Sequence, residues 1–162
     1  MGAKIYLDMD GTVAGLYRLP DWLECLRTET AGVFTRCEPL FEQKDFYPIV
    51  DKLLLAGVKF GVITWLPMQA TDEYQAICTE EKRKWCKDWM PFIETFAAQP
   101  YGIDKSLAIT KHFKTEYLID DNKEICQRWK TETQRKALVC DNTAFGNVCA
   151  CLWQIADELG IE

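Results

Sequence analysis

The chain has 162 residues, 48% of them hydrophobic and 27% charged, and a formal net charge of −6. This length fits one compact domain with its own hydrophobic core, so we expect residues 1–162 to form a single domain. Acidic and basic residues are interspersed without a basic block, which argues against a nucleic-acid partner. Small anionic ligands would need a divalent cation at an acidic site, because carboxylates alone would repel them.

The cysteines and the apolar segments are informative about the cellular location of the protein. No apolar run approaches membrane-spanning length, and the chain enters its first strand without an apolar leader. The eight cysteines are scattered and include no Cys-x-x-Cys pair. We therefore interpret them as reduced side chains packed like small hydrophobic residues, in preference to a zinc site. Together these features predict a cytoplasmic protein without a membrane partner.

The first predicted strand, residues 4–8, carries the most specific motif of the chain. It leads through Asp8 and Asp10 into Gly11-Thr12. A glycine here lets the chain turn sharply where the strand ends, and open α/β sheets bind ligands at that edge. A D-x-D-G-T match has a chance expectation of roughly one in several hundred for a chain of this length. The motif therefore predicts a site with two carboxylates.

Residues 13–44 interrupt the pattern that follows. The segment is rich in turn-forming residues and also contains aromatic side chains such as Tyr17, Trp22, Phe34 and Phe41. We predict a small cap or flap, inserted after the first strand, with one or two short helices.

Beyond the insertion, helices and strands alternate. The predicted helices are 45–56, 72–90, 104–113, 122–129 and 147–159, and the remaining strands are 58–64, 92–98, 116–120 and 136–141. Helix start and stop signals support these boundaries, with N-caps predicted at Asp72, Asp104 and Asn122 and a C-terminal stop at Gly57. The alternation predicts a parallel sheet with crossover helices. Trp85, Trp89 and Trp129 fall on helical patterns and are predicted to lie in the core or to pack between helix and sheet.

Polar residues occur at the ends of several strands. Thr64 ends the second strand, Lys105 begins the helix after the third, and Asp120-Asp121 end the fourth. These positions can face one crevice, together with the aspartates of the first strand. The set supplies the groups that phosphoryl transfer needs: a nucleophile, a proton donor, a hydroxyl donor, a positive charge and metal ligands.

These residues resemble the four motifs of the haloacid dehalogenase superfamily. Asp8-Met9-Asp10-Gly11-Thr12 resembles the first motif, Thr64 the second, Lys105 the third and Asp120-Asp121 the fourth, in the order that the superfamily has. Phosphate-accepting receiver domains have a similar inventory, but there the acidic pair precedes the lysine. The resemblance implies an α/β, Rossmann-like three-layer sandwich with a central parallel sheet and a small cap after the first strand.

The resemblance also implies a Mg²⁺-dependent phosphatase with an aspartyl-phosphate intermediate. Asp8 would be the nucleophile and Asp10 the acid and base, while Thr64 would donate to a phosphate oxygen and Lys105 would balance the negative charge. Mg²⁺ would bind Asp8, the Asp10 carbonyl and Asp121, with Asp120 behind them or bound through water. Three other lysines are alternatives to Lys105, namely Lys82, Lys84 and Lys111.

Within the superfamily the chain most resembles the 5′(3′)-deoxyribonucleotidase group, which implies a nucleoside monophosphate or another small phosphomonoester as substrate. Candidate residues for stacking on a base are Tyr17, Trp22, Phe34, Phe41, Phe46, Tyr47 and Trp65. Two alternatives remain: a catalytically silent domain that binds phosphate, and a phosphatase of a macromolecule such as a nucleic-acid 3′-phosphate or a phosphoprotein. His112 is predicted to be a helix residue without a catalytic role.

Overall fold

A five-stranded parallel sheet forms the centre of the fold in the computed structural model, which describes residues 2–162. The strands are β1 (Ala3–Leu7), β2 (Lys59–Trp65), β3 (Thr95–Gln99), β4 (Thr115–Asp120) and β5 (Arg135–Val139). Their order across the sheet is β3-β2-β1-β4-β5, and every neighbouring pair is parallel. The strands β2 and β3 lie on one side of β1, and β4 and β5 lie on its other side. The boundary between β1 and β4 is thus the topological switch point, where open α/β sheets bind their ligands.

Within residues 2–162, five α-helices accompany the sheet: α1 (Trp22–Arg27), α2 (Gln43–Leu55), α3 (Asp72–Trp89), α4 (Lys123–Trp129) and α5 (Val148–Glu158). Single 3₁₀ turns occur at Leu16–Arg18, Phe34–Arg36 and Lys105–Ala108. The predicted α/β class, with a parallel sheet between helical layers, is confirmed.

Apolar side chains cover both faces of the sheet because successive strand residues point in opposite directions. Ile5 and Leu7 of β1 belong to the large core that includes residues of α2, α3 and α5. Tyr6 points to the other face, where its ring lies 5.5 Å from that of Trp129 in α4. Trp85 is buried in the large core, and Trp89 packs against it. The predicted packing role of the three tryptophans is confirmed, and all eight cysteines are free thiols.

The predicted helix over residues 104–113 is wrong beyond its first turn. Asp104 does cap it by accepting from the Ser106 N–H at 2.8 Å, but the helical segment ends at Ala108. Ile109 is extended, and the next residue is Thr110, so β-branched side chains follow the turn where the helix would continue. The Phe113 N–H then donates to Glu116 at 3.0 Å, which ties the chain to the start of β4.

Two smaller predictions are also corrected. His112 is not in a helix; it lies in the segment before β4, and its ring contacts the buried Glu116 carboxylate at 3.1 Å. The N-cap of α3 is Thr71, whose hydroxyl accepts from the Tyr74 N–H, and Asp72 is the first residue of the helix. The N-cap at Asn122 and the left-handed Gly57 after α2 match their predictions.

Residues 13–44 form a flap that is fastened to α3. Phe34 is buried, and the carboxylate of Glu81 in α3 accepts from the backbone N–H groups of Gly32 and Phe34. Tyr74 donates to the Thr30 carbonyl at 3.0 Å, and the Trp85 indole donates to the Cys37 carbonyl at 2.7 Å. The flap contains three short helical segments, one more than the upper number predicted.

Between residues 2 and 162, none of the helices combines the length and the apolar character that a membrane crossing requires.

Candidate active site

The first carboxylate of the site, Asp8, directly follows the central strand β1. Its N–H continues the sheet ladder by donating to the Ile119 carbonyl of β4 at 3.0 Å. The chain then turns at Gly11, which has φ +82°, and a Cβ there would lie 2.5 Å from Asp121 Oδ2. Glycine is therefore needed for both the backbone angle and the close approach of the fourth motif.

Lys105 connects two of these strand ends. Its Nζ is 2.5 Å from Asp8 Oδ1 and 2.7 Å from Asp120 Oδ2, and the residue is only 3% exposed. Burial by itself would lower the pKa of Lys105, but the charges of Asp8 and Asp120 outweigh it and raise that pKa. The ammonium therefore stays charged and holds the carboxylates of β1 and β4 together.

A second buried lysine, Lys82 of α3, lies at the site. Its Nζ donates to Asp10 Oδ2 at 2.5 Å, to Thr64 Oγ1 at 2.9 Å and to the Trp65 carbonyl at 2.8 Å. From the sequence, Lys82 is only an alternative to Lys105, whereas the structure brings both lysines to the site. Lys82 is hard to single out from the sequence because α3 also contains exposed lysines.

The two other alternative lysines lie elsewhere. Lys84 is exposed and pairs with Asp88 one turn along α3. Lys111 is exposed in the segment before β4, with its ammonium 6.0 Å from the Phe113 ring.

Thr64 is fully buried near the end of β2 and faces Lys82. Its oxygen accepts from the ammonium, which leaves the hydroxyl hydrogen free to donate elsewhere.

Three carboxylates could hold a metal ion: Asp8, Asp120 and Asp121 each offer an oxygen within 4.8 Å of the others. Lys105 is the only ammonium with an ion pair to this group within residues 2–162, so three acids face one base. Burial, together with repulsion from neighbouring carboxylates, raises the pKa of Asp120 to about 6 and of Asp121 to about 7. A hard divalent cation such as Mg²⁺ fits this donor set, because it prefers carboxylate oxygens and would neutralise them.

The two aspartates of the fourth motif differ in the contacts they make. Both oxygens of Asp120 are engaged, one with Lys105 and the other with the Asn122 N–H at 2.9 Å. Asp121 has no ion-pair partner in the described part of the chain, and its Oδ1 accepts a long hydrogen bond of 3.4 Å from the Thr12 hydroxyl. Asp121 therefore has the freer oxygens for a cation, and its role as a direct metal ligand stays a prediction.

The carboxylate of Asp10 stands apart from this acidic cluster. Its Oδ2 is paired with Lys82, while Oδ1 is buried and has no hydrogen-bond partner among residues 2–162. Burial raises the pKa of Asp10, and the charge of Lys82 opposes that rise. Because Lys82 holds Oδ2 and Oδ1 has no partner, Oδ1 is the oxygen that can give or take a proton.

A cavity of about 590 Å³ opens above these residues, within the range of small-molecule sites. Asp8, Asp10 and Lys105 are among the residues that line it. Four of the seven predicted stacking residues line it, namely Tyr17, Trp22, Phe34 and Trp65. The rings of Tyr17 and Trp22 are 5.0 Å apart and edge to face.

The other three aromatic candidates are wrong, because they belong to the core. Phe46 is fully buried and stacks on Phe41 at 3.9 Å, and Tyr47 packs against both. The sequence missed Tyr101, whose ring lies 4.8 Å from that of Trp65 at the cavity wall. Its position in a Pro-Tyr-Gly turn directly after β3 was the signal that could have identified it.

No protein-family model matches the sequence, and no curated protein matches it as a relative. The superfamily resemblance therefore depends on the four motifs and on their order along the chain.

Proposed function

We propose that this protein is a Mg²⁺-dependent phosphomonoester hydrolase that acts through an aspartyl-phosphate intermediate. The observation that carries the proposal is the separate placement of the two carboxylates of the first motif. Asp8 is paired with Lys105 and lies in the acidic cluster, whereas Asp10 is paired with Lys82 outside it. Two carboxylates in different surroundings suit two different tasks, nucleophilic attack and proton transfer.

In the first half of the reaction, a carboxylate oxygen of Asp8 forms a bond to phosphorus while the bond from phosphorus to the leaving oxygen breaks. Asp10, in its protonated form, gives its proton to that leaving oxygen. In the second half, Asp10 takes a proton from water, whose oxygen attacks phosphorus and breaks the bond to Asp8. Inorganic phosphate leaves, and both carboxyl groups return to their starting states.

The other residues hold the phosphate group during these steps. Thr64 has a free hydroxyl hydrogen to donate, and Lys105 supplies positive charge beside Asp8. Asp8, Asp121 and the Asp10 carbonyl would hold Mg²⁺, with Asp120 behind them. The ion would supply charge neutralisation, without which the carboxylates would repel the phosphate.

The cavity favours a small phosphomonoester that carries a planar group, and a nucleoside monophosphate of the kind that the nucleotidase resemblance implies meets that description. Aromatic rings at Tyr17, Trp22, Trp65 and Tyr101 offer faces and edges on which a base can pack. The cytoplasmic location expected from the sequence stays a prediction.

The test is phosphate release from nucleoside monophosphates, sugar phosphates and an aryl phosphate, with Mg²⁺ or with a chelator. We expect Mg²⁺-dependent release that Asp8→Asn abolishes and that Asp10→Asn reduces at least about a hundredfold. Asp88→Asn, at an exposed ion pair, is the matched control.

Each other outcome points to a different function. Retained activity in Asp8→Asn would overturn the mechanism. Phosphate binding without turnover of any compound would favour the silent binding domain, and release from a phosphopeptide or from a nucleic-acid 3′-phosphate alone would favour a macromolecular substrate.

A further inference from the structure

The loop between β5 and α5, residues 140–147, reaches the turn that carries the first motif. Asn142 Nδ2 donates to the Gly11 carbonyl at 2.6 Å. Asn142 has φ +59°, a left-handed conformation that asparagine adopts more readily than most residues. Nothing in the four motifs points to this residue, which is 131 positions from Gly11 in the chain.

The loop that holds Asn142 is itself braced. Asp141 accepts from both the N–H and the hydroxyl of Thr143, at 2.9 and 2.7 Å, and its own N–H donates to the Gly146 carbonyl. The next helix begins directly after it, where Asn147 caps α5. Although Asn142 lies at the surface, its backbone position is therefore fixed, and its amide points inward to Gly11.

The turn at Gly11 is confined from the other side as well. A Cβ on Gly11 would come within 2.5 Å of Asp121 Oδ2 and 2.7 Å of the Tyr17 ring. The next carbonyl, that of Thr12, is 3.9 Å from the Cys140 thiol of the same loop. Movement of the Gly11-Thr12 backbone would thus change the distance between the first motif and Asp121.

The Thr12 side chain connects the Gly11-Thr12 backbone to the acidic cluster. Its buried hydroxyl oxygen accepts from the Asp121 N–H at 3.1 Å, and lies 3.3 Å from Asp8 Oδ2 and 3.4 Å from Asp121 Oδ1. The side chain thus stands between two of the three carboxylates that could hold a cation.

We propose that Asn142 is a positioning residue for the metal site, holding the Gly11-Thr12 backbone so that Asp8 and Asp121 keep the separation that a divalent cation requires. Asn142 bonds to none of the carboxylates that would hold the cation; it acts through the Gly11 carbonyl and the Thr12 hydroxyl. The inference rests on the proposed metal site, and it adds a residue outside the four motifs to that site.

The test is the Mg²⁺ dissociation constant, measured by calorimetry on the full chain without substrate. Asn142→Gly removes the amide but tolerates the left-handed backbone, so we expect Mg²⁺ to bind at least about threefold more weakly, the equivalent of one lost hydrogen bond. Phe145→Ala truncates a side chain of the same loop that is 95% exposed, and it is the matched control, with unchanged affinity expected.

A purely structural role would lower the melting temperature of Asn142→Gly and leave its Mg²⁺ affinity equal to that of the wild type, which would overturn the inference. Absence of Mg²⁺ binding by the wild type would overturn it too. Binding by the wild type without phosphatase activity would remove the proposed function alone, since the effect of Asn142→Gly on affinity is measured without turnover.

Discussion

Replacing Lys82 by methionine should destabilise the protein by about 3 kcal/mol. The ammonium is fully buried and donates to three acceptors, the Asp10 carboxylate, the Thr64 hydroxyl and the Trp65 carbonyl. Methionine fills much of the same volume but leaves those acceptors unpaired. Breaking a buried ion pair costs about 3–5 kcal/mol, and we expect the lower end because the Asp10 side chain keeps 17% of its exposure and can regain some water.

Urea unfolding at pH 7 with a chelator present measures this free energy directly. Lys84→Met is the matched control, since its ammonium is exposed and pairs only with Asp88, and we expect a change within about 0.5 kcal/mol. The double variant with Asp10→Asn should recover part of the loss, because no charged carboxylate is then left unpaired; we expect a coupling energy of about 2 kcal/mol. Equal midpoints for Lys82→Met and Lys84→Met, or no coupling to Asp10, would refute the reasoning.

Three further outcomes follow from the same contacts. Trp65→Ala should raise KM for a nucleoside monophosphate about tenfold with a smaller effect on kcat. Phe46→Ala, in the core, should lower stability by about 3–5 kcal/mol and leave KM unchanged. The reverse pattern in steady-state kinetics and urea unfolding would contradict the assignment of Trp65 to the cavity and of Phe46 to the core. In the metal-free protein, burial and neighbouring carboxylates raise the pKa of Asp120 to about 6 and of Asp121 to about 7, above the value of about 3.9 for an unfolded aspartate. Between about pH 4 and pH 7 the native state therefore binds more protons than the unfolded state. The melting temperature in chelator should therefore fall as the pH rises from about 4 to about 7, Asp121→Asn should flatten the fall, and a rising profile would be evidence against the raised pKa values. Glu81→Ala should speed amide hydrogen exchange at Gly32 and Phe34, because their backbone acceptor is lost, while Glu80→Ala, at an exposed position, should not; unchanged exchange in Glu81→Ala would mean that the flap is held by its buried side chains alone.

Hydrophobic runs and helix caps predicted most of the fold. The five strands were predicted within a few residues because each is a short apolar segment that ends at a polar residue or a turn. The helix predicted after Asp104 was wrong because a good N-cap specifies where a helix begins and carries no information on how far it extends. β-Branched residues follow Ala108, and the Phe113 N–H donates to the Glu116 side chain at the start of β4.

The residues of the site were predictable to the extent that they occur at strand ends. Asp8, Thr64 and Asp120 follow from the rule that parallel strands place their carboxyl ends at one edge. Lys82 lies in the middle of a helix, so only the packing of α3 across the end of β2 brings its ammonium to Asp10. Phe41 and Phe46 illustrate the opposite error, since an aromatic residue in or beside an insertion can equally serve the core.

The fastening of the flap to α3 has a consequence for how molecules would enter and leave the cavity. Glu81, Tyr74 and Trp85 of α3 are all hydrogen-bonded to the backbone of the flap, so an outward movement of residues 30–37 would have to break these bonds. A substrate of the proposed phosphatase that enters on that side would therefore have to break them, whereas one that enters beside residues 16–27 would leave them intact.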